Sequence, residues 1–190
     1  MKNHFLFIAI TIVLAILSFP STSNSNSTGS PGGKTGSPSD GASCIQCHSN
    51  APQGQGANIT TNIPATGYEP GNTYNITASI ILGFGSQDPK GFEVTCESNT
   101  NTKAGLFGIT DPTSTQLINN GTAITHTTAG NSLTNWSFNW VAPQVGTGEV
   151  TFYAAFIEAG SPTGNQGDLF NSASVSSDEA TTNSTTNISA

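Results

Sequence analysis

What this chain lacks narrows what it can do. It has no Arg and only four Lys against eleven Asp and Glu, for a net charge of −7. Nucleic acid and anionic membrane surfaces are held chiefly by Lys and Arg, so neither fits as a partner. Charged residues are only 8% of the chain, and Asn, Thr, Ser and Gly carry its solubility instead. Cys and His occur three times each, and Met once, at Met1. No Ser-His-Asp set and no paired carboxylates stand out, so hydrolytic and phosphoryl-transfer chemistry have few parts, and the chain reads as a non-enzyme. Beyond the first twenty or so residues no useful helical period occurs.

One long hydrophobic run is present. Phe5 to Phe19 (FLFIAITIVLAILSF) follows Lys2 and is broken by Pro20 and the small polar residues Ser21, Thr22 and Ser23. This is the pattern of an export signal over residues 1–23. A spanning helix needs about 20 apolar residues, so no membrane insertion is expected after cleavage. No Cys closes the run to accept a lipid. The expected address is secreted, cell surface or periplasm. Cleavage removes Met1 and His4, leaving His48 and His126 as the imidazoles and no Met at all. About 165 residues remain, enough for one domain with its own core.

Residues 24–40 (NSNSTGSPGGKTGSPSD) are rich in Ser, Gly and Pro and read as a linker or extended loop. GSPGGKTG lacks the spacing of a phosphate-binding loop. Residues 41–67 carry two more prolines, Pro52 and Pro64, and read as irregular chain. A period of two then sets in. Tyr74, Ile76, Ala78, Ile80 and Leu82 alternate with Asn75, Thr77, Ser79 and Ile81, and Phe92, Val94 and Cys96 share one face of a second run. Ala123–Thr127 is a short third candidate. Trp136, Phe138 and Trp140 form a stripe that alternates as a core strand does, not as a sugar-binding platform. Gly148–Ile157 is apolar on both faces in its second half and reads as a central strand. Short strands separated by Gly and Pro predict an all-β, antiparallel, Ig-like β-sandwich over residues 68–173, with a disordered tail over 174–190.

The residues richest in chemistry lie outside those strands. Cys44-Ile45-Gln46-Cys47-His48 reads C-x-x-C-H. In such a string two thiols add across the two vinyl groups of one porphyrin and the adjacent imidazole ligates the iron. Haem c is therefore the leading cofactor, with Cys44 and Cys47 as thioethers and His48 as proximal ligand. Since no Met survives cleavage, the usual His/Met pair is excluded, and His126 is the one other imidazole for the sixth position. If His126 points elsewhere, the iron is open to small ligands. A porphyrin also needs apolar cover, for which Trp136, Phe84, Phe107 and Tyr68 are candidates. Other readings stay open: a Cys44–Cys47 disulfide in an oxidising compartment, or a zinc set of Cys44, Cys47, His48 and His126. A redox C-x-x-C of the thioredoxin kind lacks its strand and helix. Cys96 reads as a buried small hydrophobe. Asp88, Asp111 and Asp168 sit in loops without calcium-loop spacing.

GSPGGKTGSPSDGASCIQCHS followed by YEPGNTY, then GFEVT, ITHTTAGNS, WSFNWVAP, GTGEVTFYAA and QGD, resembles in order and spacing the secreted bacterial proteins with a Reeler-like (choice-of-anchor V) domain. The resemblance spans about residues 29–171. It implies an extracellular Ig-like sandwich and a His at the block holding His126. Members of that family often carry a C-terminal sorting or anchoring module, and this chain stops after its tail. Cys96 also stands where an ordinary strand residue is expected. Three functions follow as expectations: a haem-carrying module for electron transfer or ligand binding with a separate redox partner, a structural or adhesive surface module, and an accessory domain beside a catalytic partner. For the export signal, N-terminal sequencing of the secreted protein is expected to begin between Ser21 and Asn24; a start at Met1 contradicts the signal reading.

Overall fold

In the computed structural model, which describes residues 26–83, 89–160, 164 and 167–181, nine strands form two antiparallel sheets. The first sheet runs β1 (Ala57–Thr61), β2 (Thr73–Ile80), β7 (Asn135–Val141), β4 (Leu106–Gly108). The second runs β5 (Thr115–Ile118), β6 (Ala123–His126), β3 (Lys90–Ser98), β8 (Val150–Glu158), β9 (Leu169–Ser177). The expected all-β sandwich is therefore present, with β8 inside its sheet between β3 and β9. Residues 1–23, expected as an export signal, lie outside the described residues. No helix among the described residues is long and apolar enough to cross a membrane.

Alternation builds the core. On β2, Tyr74, Ile76, Ala78 and Ile80 point inward, while on β7 Trp136, Phe138 and Trp140 do the same. Phe92 stacks on Trp136 with ring centroids 4.5 Å apart, and Trp140 meets Phe152 edge-on at 4.9 Å. Both indoles find a carbonyl: Trp136 Nε1 donates to Gly130 O at 2.9 Å and Trp140 Nε1 to Ala104 O at 3.1 Å. Such pairs contribute about 0.5–1.5 kcal/mol beyond their burial. The Trp stripe is thus core, and Cys96 is buried in it.

The structure extends the sandwich beyond its expected limits on both sides. Ala57–Thr61, expected as irregular chain, pairs with β2 as an edge strand. Strand β9 runs to Ser177, and Glu179 accepts the amides of Gly146 and Gly148, both at 2.8 Å, so residues 174–181 are tied to the fold. The backbone of Tyr68 also bonds Asp178 and Ala180.

The segment expected as a linker is a strap. Residues 30–40 cross the outer face of β3, which is why Glu93, Thr95 and Glu97 are as buried as Phe92, Val94 and Cys96. Glu93 accepts the Gly33 amide at 2.8 Å, the Lys34 amide at 3.2 Å and the Ser30 hydroxyl at 2.5 Å. Gly33 presents its amide at φ +69, a conformation glycine adopts without a Cβ penalty. Further along, Glu97 accepts the Ser39 amide and hydroxyl and pairs with Lys103 at 2.9 Å, and Lys103 also pairs with Asp40 at 2.7 Å. Asp40 in turn accepts the amide and hydroxyl of Thr35.

These carboxylates titrate in opposite senses. Burial pushes Glu97 up, but the Ser37, Ser39 and Lys103 hydrogen bonds outweigh it and hold the carboxyl below its ordinary value. Burial likewise pushes Asp40 up, and Lys103 and Thr35 outweigh it and bring it low. At Glu93 burial wins over the Ser30, Lys34 and Gly33 donors and the carboxyl is raised. Stability from Asp40 and Glu97 is therefore complete above the unfolded carboxylate range and is lost as pH falls through their folded values. Glu93 works the other way, favouring the fold as it takes up its proton. Replacing Glu97 with Gln is expected to cost about 1–3 kcal/mol at neutral pH and to shrink the loss of stability on acidification. Urea unfolding from pH 3 to 7 checks this; an unchanged acid limb contradicts it.

Candidate functional site

The strap ends by delivering Cys44. Thr35 and Ser43 form an antiparallel bridge, and the Gly36 amide donates to Ala42 O at 2.8 Å, closing a small loop just before the motif. Cys44–Gln46 then make a single helical turn, too short for any sequence periodicity to reveal. The His48 amide donates to Cys44 O at 2.9 Å and the Cys47 amide to the same oxygen at 3.1 Å. Residues three and four apart share one face of such a turn, so Cys44, Cys47 and His48 project together.

They project over a narrow cleft of about 90 Å³. Cys44, Cys47, His48 and His126 all line it. The cleft lies where β3 begins and where β6 and β8 end. Its apolar cover is Pro31, Pro89, Phe92, Ile157 and Ala159. Three residues expected to provide that cover do not: Trp136, Phe107 and Tyr68 are consumed by the core between the sheets. Phe84 lies outside the described residues.

His48 has a fixed orientation. Its Nδ1 meets Asp168 Oδ2 in a short contact, and Asp168, fully buried at the start of β9, also accepts the Gly160 amide at 3.0 Å. A carboxylate on one ring nitrogen fixes the tautomer and leaves Nε2 as the nitrogen with a lone pair. Asp168 had been legible only as a loop carboxylate; it lies 120 residues from His48 in sequence, and no spacing rule connects them.

His126 is held differently. It closes the ladder between β3 and β6. The Phe92 amide donates to His126 Nδ1 at 3.2 Å, and Thr125 Oγ1 donates to Phe92 O at 2.5 Å. Two side chains thus replace backbone partners where the pairing ends. The ring lies against Gly91, where an added Cβ would come within 2.8 Å of Cε1. Burial lowers its pKa, against the pull of hydrogen bonds to the Phe92 and Asn26 backbone, and so favours the neutral imidazole.

The thiols narrow the chemistry. Burial, reinforced by the charge of Glu93, pushes Cys44 up to about 12. Its Sγ faces Lys34 O at 3.7 Å. A thiol held so firmly in its protonated form is a poor nucleophile, so Cys44 is not primed to react beside His48–Asp168. Among the described residues no three His, Cys, Asp or Glu side chains gather closely enough to hold a metal ion, so the four-ligand zinc set is not assembled. No calcium cluster forms either: Asp111 caps its own turn through the Thr113 amide at 2.9 Å, Asp168 holds His48, and Asp88 lies outside the described residues. No disulfide joins Cys44, Cys47 or Cys96. Two of the three lysines among the described residues, Lys34 and Lys90, line this same cleft of an acidic chain.

These features define a two-sheet antiparallel β-sandwich with a narrow cleft at an end of the larger sheet. The Reeler domain family matches residues 42–161, and the chain belongs to that family. The matched span contains Cys44–His48 and His126; Asp168 and the strap fall outside it. The chain is similar to the human F-spondin reeler domain at 23% identity, covering 73% of this chain and 99% of that one with a TM-score of 0.53. The Reelin-N domain of F-spondin aligns at 23% identity over 67% of this chain and 88% of that one, TM-score 0.51. At such identities the likeness concerns the fold alone. No curated protein matches the chain. As a test of the packing at His126, Gly91→Ala is expected to displace the ring and cost about 1–3 kcal/mol, read by urea unfolding. Wild-type stability in that variant contradicts the close approach.

Proposed function

We propose that this Reeler module is exported and non-enzymatic, and that its chemistry resides at Cys44–His48, where one haem would attach covalently at the mouth of the cleft. The observation that carries this reading is the pairing of His48 Nδ1 with buried Asp168. A carboxylate behind an imidazole is the arrangement that readies the opposite nitrogen for a metal. The donor set fits a porphyrin better than a bare ion. It offers a single oriented imidazole, two thiols on the same helical turn, and apolar walls from Phe92, Ile157 and the two prolines. Cys44 and Cys47 would hold the group as thioethers, a bond that needs no lasting thiolate. Lys34 and Lys90 bring positive charge to a site whose ligand carries carboxylates. When bound, the group supplies one-electron chemistry or a coordination position for a small molecule. The chain supplies attachment, ring orientation and exclusion of water.

A structural or adhesive extracellular module without a cofactor is the second reading. The family membership favours it, because the sandwich closes its core on aromatic side chains and needs no prosthetic group to do so. Both readings share the export and the absence of turnover. They part on one measurement: intact mass and optical spectrum of protein recovered from a host able to mature c-type cytochromes. The haem reading expects a Soret band and a haem increment on the peptide holding Cys44 and Cys47. Colourless protein, at the mass of the bare chain or about two daltons lower for a disulfide, overturns it in favour of the second reading.

A further inference from the structure

We infer that a groove on the outer face of the larger sheet binds a short, uncharged oligosaccharide between Tyr153 and Phe170. The groove shares no lining residue with the cleft at Cys44–His48, and the inference holds whether or not that motif carries haem.

Almost all the aromatic surface of this chain is committed to its core. Among the described residues, Tyr153 and Phe170 are the aromatic side chains that are not buried, and both line this groove. Alternation puts them there. Phe152 and Ala154 turn into the core, so Tyr153 turns out from β8, and Phe170, which precedes buried Asn171, turns out from β9. Across the two strands Tyr153 lies opposite Ser174, Ala155 opposite Ser172 and Ile157 opposite Phe170. The rings are therefore separated by about 13 Å of strand, with small residues between them. Exposed Ser172 and Ser174 form the floor. The strap forms a wall where Thr35 and Ser43 bridge. The groove holds about 390 Å³, and small-molecule sites commonly hold about 300–1,000 Å³.

The lining selects the class of ligand. None of its residues is charged, so an ion would lose water and gain no counter-charge. A purely apolar ligand would strip water from the hydroxyls of Ser43, Ser172 and Ser174 and give nothing back. A sugar chain presents C–H faces on which aromatic rings stack, and hydroxyl edges that donate and accept as serine does. The distance between the rings calls for more than one sugar unit. Strands and an anchored strap carry the site, so little has to be ordered on binding.

The test titrates the full chain calorimetrically with the hexasaccharides of cellulose, xylan, mannan and chitin, at low and high salt. At least one is expected to bind with an affinity that salt does not change. Tyr153→Ala and Phe170→Ala are each expected to weaken it about tenfold. In the wild type, the amide resonances of Ser172 and Ser174 are expected to shift on titration, and this measurement decides if a variant does not fold. Binding of none of the four, or binding that collapses with salt, overturns the inference. So does undiminished affinity in either variant, or a set of shifted resonances that leaves out Ser172 and Ser174. A dimer in light scattering that the sugar fails to dissociate, with Tyr153→Ala monomeric, assigns the groove to a second copy of the chain and overturns it as well.

Discussion

Two carboxylates on the wrong face of a strand organise this molecule. Glu93 and Glu97 point away from the aromatic core, on the side of β3 that would ordinarily meet water. A buried carboxylate is costly unless donors surround it. The donors come from a segment that has almost nothing apolar to bury: Ser30, Gly33 and Lys34 for Glu93, and Ser39 with Lys103 for Glu97. Ser, Gly and Pro suit that task. They offer hydroxyls and accessible amides and tolerate the turns through which the backbone wraps an anion. The strap is therefore held by polar satisfaction, while the sandwich beneath it is held by packing. Loosening the strap removes the anchor of the helical turn that presents Cys44, Cys47 and His48.

The same economy shapes the cleft. The start of β3 contributes Gly91 and Phe92, the end of β6 contributes His126, and the start of β9 brings Asp168 beneath His48. His48 has one nitrogen on a carboxylate, Asp168, whereas His126 accepts the Phe92 amide on Nδ1 and is held by the Asn26 backbone as well. That difference gives the two rings different abilities although they line one cavity. In a chain of net charge −7 with no Arg, Lys34 and Lys90 both line this cleft, and Glu93 outweighs Lys34 in its effect on Cys44.

The sequence displayed the sandwich where side chains alternate strongly. Strands β2, β3, β7 and β8 were legible because large apolar residues recur every second position with Gly or Pro at the ends. Strands β4 and β5, of three and four residues, are too short for a period to register. Strand β9 (LFNSASVSS) alternates mainly small and polar residues, so composition alone reads it as tail. The burial of Glu93 was invisible because it depends on a strap some sixty positions upstream. Within the site, spacing singled out Cys44, Cys47 and His48, and elimination singled out His126. Their shared cleft, the Asp168 support and the amide on His126 arise from tertiary pairing that no local pattern encodes.

Nuclear magnetic resonance of ¹⁵N-labelled imidazoles in the cofactor-free chain, at about pH 8 where an ordinary His is neutral, tests this account most directly. His48 is expected to carry its proton on Nδ1 and His126 on Nε2. Both rings in the same tautomer, or His48 averaging between the two, would contradict an imidazole held ready by Asp168.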